Sequence, residues 1–199
     1  LDLKGYLELI LRTAEGTPVS LEVSETTAQG MVEEGKKLYQ MFNPIAKNVY
    51  VKIPVNPAFK DGDTTHFDGI AAIKELSNAK IPVNCTLVFT PEQALLAAKA
   101  GAAFVSPFAG RIDDYLRTEH NIPYKKTDYY LQGGMEYQGK MLQDNGIVSG
   151  IDLVRQCVLL MRQYNLETKV LAASLRNSRQ VREAALAGAD IATLPFDVI

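Results

Sequence analysis

The chain has 199 residues, 47% hydrophobic and 22% charged, with a net charge of -2. That balance suits a soluble protein with one sizeable core, and it gives no general attraction to nucleic acid or to an anionic membrane. No apolar run approaches the roughly 18 residues that a membrane-spanning helix needs. No charged-apolar-small leader is visible, and the chain opens at Leu1 without an initiator methionine, as a processed or partial sequence would. Cys85 and Cys157 lack CxxC spacing and suit free thiols in a reducing compartment. His66 and His120 have no carboxylate or cysteine at ligand spacing, so no metal site is expected.

In chain order, residues 5–12 read as a helix stopped by Gly16, and 19–23 as a strand with Val19, Leu21 and Val23 on one face. Residues 26–42 form the next helix, with Thr27 as its cap and Met31, Leu38 and Phe42 on one stripe. A strand follows at 49–55, then a turn-rich insert at 56–67, a helix at 68–79 and a strand at 83–89. Thr90-Pro91 opens a helix that runs to Gly101. The strand at 103–108 precedes a long polar insert, 114–146, holding five of the nine tyrosines; among these, Tyr124, Tyr129, Tyr130 and Tyr137 suit a lid or a subunit contact, with a disordered loop as the alternative. Helix 147–163, strand 169–174, helix 178–187 and strand 191–196 complete the chain, read as a single domain over 1–199.

Strict alternation of strand and helix argues an α/β fold with a parallel sheet covered by helices. A doubly wound open sheet and a (β/α)8 TIM barrel both fit this order. No GxGxxG follows a strand and no GxxxxGK[ST] occurs, which counts against a nucleotide-binding open sheet.

The strand at 49–55 carries the chemistry. Val49, Val51, Ile53 and Val55 share one face, and Tyr50, Lys52 and Pro54 the other. A lysine set deep in an apolar strand loses hydration, which favours the free amine that a Schiff-base enzyme needs; a side chain snorkelling from a strand edge is the alternative. The same face bears Ser20 and Glu22, then Asn84 and Thr86, then Ser106 and Phe108, then Ser174. Such a succession points to polar groups converging inside a barrel, near the strand ends where barrel sites lie. A hydrogen-bonded polar layer without chemistry is the alternative.

Val51-Lys52-Ile53-Pro54-Val55, Asn84-Cys85-Thr86-Leu87-Val88-Phe89, Val105-Ser106-Pro107-Phe108-Ala109-Gly110-Arg111-Ile112-Asp113 and Ala172-Ala173-Ser174-Leu175-Arg176-Asn177 occur in an order that resembles the transaldolase family, specifically its small members. The similarity extends from about Pro18 to Pro195. It implies a (β/α)8 barrel and class I aldolase chemistry with Lys52 as the imine-forming amine. Glu22 and Thr86, on neighbouring face positions, would hold a proton-shuttling water. The resemblance also implies that Asn84 and Ser106 contact the sugar, that Phe108 lines its site, and that Arg111 and Arg176, with Ser174 between them in chain order, clamp its phosphate. A structural ion pair with Lys52 is the alternative for Glu22. It further implies sugar-phosphate substrates, no cofactor because the imine is the electron sink, a homo-oligomer, and a cytoplasmic location. The closely similar fructose-6-phosphate aldolases usually have Gln at the position of Glu22 and Tyr at that of Phe108, so both residues look like those of a transaldolase.

Only six of the family's eight strands are expected here. Its first two strands, one bearing a general acid-base Asp and the other a Thr-Thr-Asn-Pro stretch, have no counterpart, since Asp2 aligns with the helix before the Glu22 strand. The C-terminal helices have none either. The expectation is a part of a longer polypeptide, with both inserts overhanging the catalytic mouth.

Overall fold

The computed structural model describes residues 2–198. Its elements are α1 (Leu3–Thr13), β1 (Val19–Glu22), α2 (Ala28–Ala46), β2 (Val49–Pro54), α3 (Asp68–Asn78), β3 (Val83–Val88), α4 (Pro91–Ala100), β4 (Phe104–Pro107), α5 (Ala109–Glu119), a short hairpin of β5 (Glu136–Tyr137) and β6 (Lys140–Met141), α6 (Gly150–Gln163), β7 (Lys169–Ala172), α7 (Ser178–Leu186), β8 (Ile191–Ala192) and a 3-10 turn at Phe196–Val198. Hydrogen bonding orders the six long-range strands β1-β2-β3-β4-β7-β8, with parallel partners in each register resolved. Parallel strands joined through helices are buried on both faces, which explains their near-continuous apolar runs.

The chain divides into two compact units. The first runs to Thr86 and takes in Lys99–Ala103. Here Val49, Val51 and Ile53 of β2 are completely or almost completely buried, as alternation requires. Each such side chain contributes about 1.5–3 kcal/mol relative to exposure. Leu11, Leu21, Phe42 and Val49 form a cluster that fastens α1 and α2 beside β1 and β2. The Asn48 side chain, 2% exposed, donates to the carbonyls of Leu11 and Thr17 and so fixes the entry to β2. Thr27 caps α2 through the Gly30 N–H, 3.1 Å away, a contact worth about 1 kcal/mol. Helix α2 continues four residues beyond the expected end at Phe42 and passes through Pro44 before closing on Lys47 in the left-handed region. Proline there removes one hydrogen bond close to the helix end, where the loss is small.

The second unit holds Leu87–Ala98 and the chain from Phe104 onward. It contains the end of β3, then β4, β7 and β8; the Phe108 N–H donates to the Val88 carbonyl at 3.0 Å. Residues 114–119, expected to begin the polar insert, are the second half of α5. The charged run Arg111-Ile112-Asp113-Asp114-Tyr115-Leu116 hid an amphipathic stripe whose Ile112 and Leu116 are buried. The rest of the tyrosine-rich stretch is anchored. Tyr130 is 1% exposed beneath the Arg117 guanidinium, 4.9 Å from its ring centre. Arg117 also donates to the Asp128 and Tyr129 carbonyls, and the Tyr129 hydroxyl donates to Glu183 of α7 at 2.7 Å. Tyr130 is therefore part of a core, and Tyr137 alone among the four named tyrosines is exposed, on the hairpin.

All six strands are shorter than expected, β7 and β8 by the most at their C-terminal ends. β7 ends at Ala172 and β8 at Ala192. Ser174, placed by alternation on a strand, lies beyond the end of β7 with φ +61, outside the extended region of regular strands.

Candidate active site

Register does the work in the first unit. Glu22 lies opposite Lys52, and Lys52 opposite Asn84. The three side chains thus form one lateral row across adjacent strands, which are about 4.8 Å apart. The Lys52 ammonium donates to Glu22 Oε2 at 3.0 Å. Their side chains are 26% and 48% exposed, so the expectation of a lysine stripped of water is corrected: this amine is ion-paired and wet. Asn84 is 3% exposed and donates from Nδ2 to Ser20 Oγ at 3.0 Å, which fixes the direction of its amide.

Thr86 lies two residues beyond Asn84, opposite Pro54. It is fully buried, and its hydroxyl has no hydrogen-bond partner. A buried hydroxyl without a partner costs about 1–3 kcal/mol. Thr86 and Glu22 lie on β3 and β1, with the strand of Lys52 between them. A water shared by the two would have to lie over the amine. Leu87, directly after Thr86, has φ +57, a strained setting of about 1–2 kcal/mol for a non-glycine residue. Cys85, between Asn84 and Thr86, is fully buried on the opposite face, and burial pushes its thiol far up.

In the second unit, the expected phosphate residues gather at the start of α5. The chain after β7 lies against it: the Ala109 and Gly110 N–H groups donate to the Ala173 and Ser174 carbonyls at 3.0 and 3.1 Å. A Cβ on Gly110 would collide with the Ser174 carbonyl and lie 2.6 Å from Arg176 Nε, so only glycine permits the approach. Arg176 forms an ion pair with Asp114 at 2.8 Å, while its Nε is buried without a partner. Arg111 is exposed, its guanidinium 5.2 Å from the Phe108 ring centre. Phe108 in turn meets Phe89 edge to face at 5.8 Å. Ser106 is buried on β4. The helix-start N–H groups of Ala109 and Gly110 are already satisfied, so an anion here depends on the arginine side chains rather than on those amides. Asp114, the partner that orients Arg176, was missed in sequence because it looked like one charge in a solvated run.

The family model described as "Transaldolase/Fructose-6-phosphate aldolase" matches residues 2–199. The chain belongs to this family. A protein of Desulfatibacillum aliphaticivorans named "Probable transaldolase" is 43% identical over 182 residues, covering 92% of this chain and 64% of the relative. Similarly named proteins of a Sulfurihydrogenibium species and of Chlorobium phaeobacteroides are 38% and 39% identical and cover 96% and 100% of this chain; the chain covers 66% and 67% of them. It thus spans about two thirds of the length of these curated relatives. A crystal structure of a provisionally named lactate oxidase from Pediococcus acidilactici superposes with a TM-score of 0.52 at 16% identity, covering 94% of this chain and 50% of that one; at that identity the likeness is one of fold. The family brings its fold class with it: an α/β protein whose six parallel strands are part of a (β/α)8 barrel.

Proposed function

We propose that this family member acts as a transaldolase, moving a dihydroxyacetone unit from a ketose phosphate, such as fructose 6-phosphate or sedoheptulose 7-phosphate, to an aldose phosphate. The observation that carries the reading is the single lateral row Glu22–Lys52–Asn84, with a carboxylate within 3.0 Å of the amine. Lys52 gives up a proton to Glu22, and its free amine attacks the C2 ketone. The carbinolamine loses water with protons moved through Glu22 and a water held with Thr86 over the amine. The iminium then accepts the electrons of the C3–C4 bond as the C4 hydroxyl passes its proton to the water over the amine. An aldose phosphate leaves, and an enamine stays on Lys52. Carbon C3 of the enamine attacks the aldehyde of a second aldose phosphate, and hydrolysis returns the amine. Asn84 and Ser106 bind sugar hydroxyls, Phe108 lines the sugar site, and Arg111, Ser174 and Arg176 bind phosphate. The lysine imine supplies the electron sink, so the reaction as proposed draws on no cofactor, and we place it in a cytoplasmic homo-oligomer.

The second reading within the same family is a lyase that releases free dihydroxyacetone. Glu22 and Phe108, where such lyases usually have Gln and Tyr, favour transfer. The test supplies fructose 6-phosphate with and without erythrose 4-phosphate. Transfer predicts sedoheptulose 7-phosphate and glyceraldehyde 3-phosphate with the acceptor alone; equal release of glyceraldehyde 3-phosphate without it would identify the lyase. A sugar-phosphate binder without catalysis would give neither product.

A further inference from the structure

Asp113 stands one residue before the acid that holds Arg176, yet it faces the interior: it is 2% exposed. Its two oxygens have separate duties. Oδ1 accepts the N–H of Gly150, the first residue of α6, at 2.7 Å, and Oδ2 accepts the side-chain amide of Gln180 in α7 at 2.6 Å. Gln180, 1% exposed, uses its other end on the site: its Oε1 accepts the backbone N–H of Arg176 at 2.7 Å. An unbroken hydrogen-bonded path therefore runs from Asp113 through one amide to the backbone of Arg176. Gly150 is part of the same lock, since a Cβ there would collide with the Ala109 carbonyl.

The choice of a carboxylate has a reason in donor and acceptor counting. Gln180 presents NH2 at one end and oxygen at the other, and nothing in its shape favours one orientation. A carboxylate accepts at both oxygens, so the NH2 must turn toward Asp113 and the oxygen toward Arg176. Buried carboxylates are costly, and a purely structural link between helices could use apolar side chains. Arg176 lies in a loop with Ser174 at φ +61, where the backbone does not hold itself in place by regular structure.

We propose that Asp113 and Gln180 are positioning residues that hold the Arg176 backbone, keeping its guanidinium beside Asp114, where the part of it left exposed meets a phosphate group of the substrate. This rests on the reading of Arg176 as a phosphate ligand. The test is calorimetric titration of inorganic phosphate at pH 8 into wild type, Arg176→Met, Asp113→Asn, Gln180→Met and the double variant Asp113→Asn/Gln180→Glu. Asp113→Asn turns an NH2 group toward one of the two donors that the carboxylate accepted. The double variant reverses the polarity and restores every bond. The carboxylate introduced at position 180 accepts from the amide introduced at position 113 and from the Arg176 N–H, and the oxygen of that amide accepts from Gly150.

The expected result is about tenfold weaker phosphate binding in each single variant, recovered to within about threefold in the double variant. Amide exchange at Arg176 should quicken in the single variants and slow again in the double one. Retained binding in Asp113→Asn and Gln180→Met, with loss in Arg176→Met, would overturn the positioning role alone. Unchanged binding in Arg176→Met would overturn the phosphate reading itself. If a single variant fails to fold, the double variant still decides: folded with weak binding, it contradicts the proposal.

Discussion

The lysine row and the arginine cluster place their residues by different physical means. Glu22, Lys52 and Asn84 sit on three regular strands, and one register aligns them. Arg111 and Arg176 come from a helix start and an irregular loop, and their setting depends on Asp114, Gly110 and the buried Gln180. Strand alternation is a local rule, so it can place a catalytic row from sequence; a loop is positioned by partners far away in the chain. Reactive groups on rigid strands are held with little freedom, whereas loop-borne binding groups need a separate hydrogen-bonded frame.

The sharpest way to break this contrast is at its chemical end. Lys52→Met should lower transfer by more than about 1,000-fold while leaving phosphate binding near wild type, measured by coupled assay and by titration. A variant with substantial activity would remove Lys52 from the centre of the account. At the other end, Arg176→Met should weaken phosphorylated substrates by about 10- to 100-fold, as loss of a charge-assisted contact does. It should leave dihydroxyacetone, which lacks phosphate, unaffected in imine trapping.

The frame itself has a pH signature. Burial raises the Asp113 carboxyl from 3.8 to about 7, against the opposing pull of the Gly150 N–H, Arg117 and Arg176; Asp114 adds to the rise. The Tyr130 hydroxyl also feels its charge. The folded state thus keeps a proton that the unfolded chain releases near pH 4. This contribution to stability is complete below the unfolded value and is lost as pH rises to about 7. Between pH 5 and pH 8, urea unfolding of wild type should lose about 2–3 kcal/mol from this group. Asp113→Asn should lack that component, and equal pH slopes in the two proteins would contradict it.

The smallest effect should come from Thr86→Val. Removing an orphaned buried hydroxyl for a methyl of similar shape should leave stability unchanged or raise it by about 1 kcal/mol, while transfer falls about tenfold or more. A loss of stability with full activity would make Thr86 structural and end its role with water.

Much of the fold was legible because hydrophobic alternation and caps are short-range. Val49, Val51 and Ile53 declared β2, and Thr27 and Thr90 cap their helices. The extension of α2 through Pro44 was hidden because proline reads as a stop. The second half of α5 was hidden because its charges, Asp114, Arg117 and Glu119, outnumber its one apolar core residue, Leu116. Within the candidate site, the face shared by Glu22, Lys52, Asn84 and Thr86 was visible in the pattern, whereas the lateral separation of Glu22 from Thr86 requires strand order. Ser174 reached its place by a positive φ that alternation cannot anticipate. The ion pair at Lys52 depends on where the neighbouring carboxylate finally rests, which the alternation of side chains leaves open.

The most direct measurement is borohydride reduction in the presence of fructose 6-phosphate, followed by peptide mass mapping. The account predicts one covalent adduct, on the peptide bearing Lys52, absent without reductant or sugar. A fully unmodified protein at saturating sugar, or an adduct confined to another lysine, would contradict it.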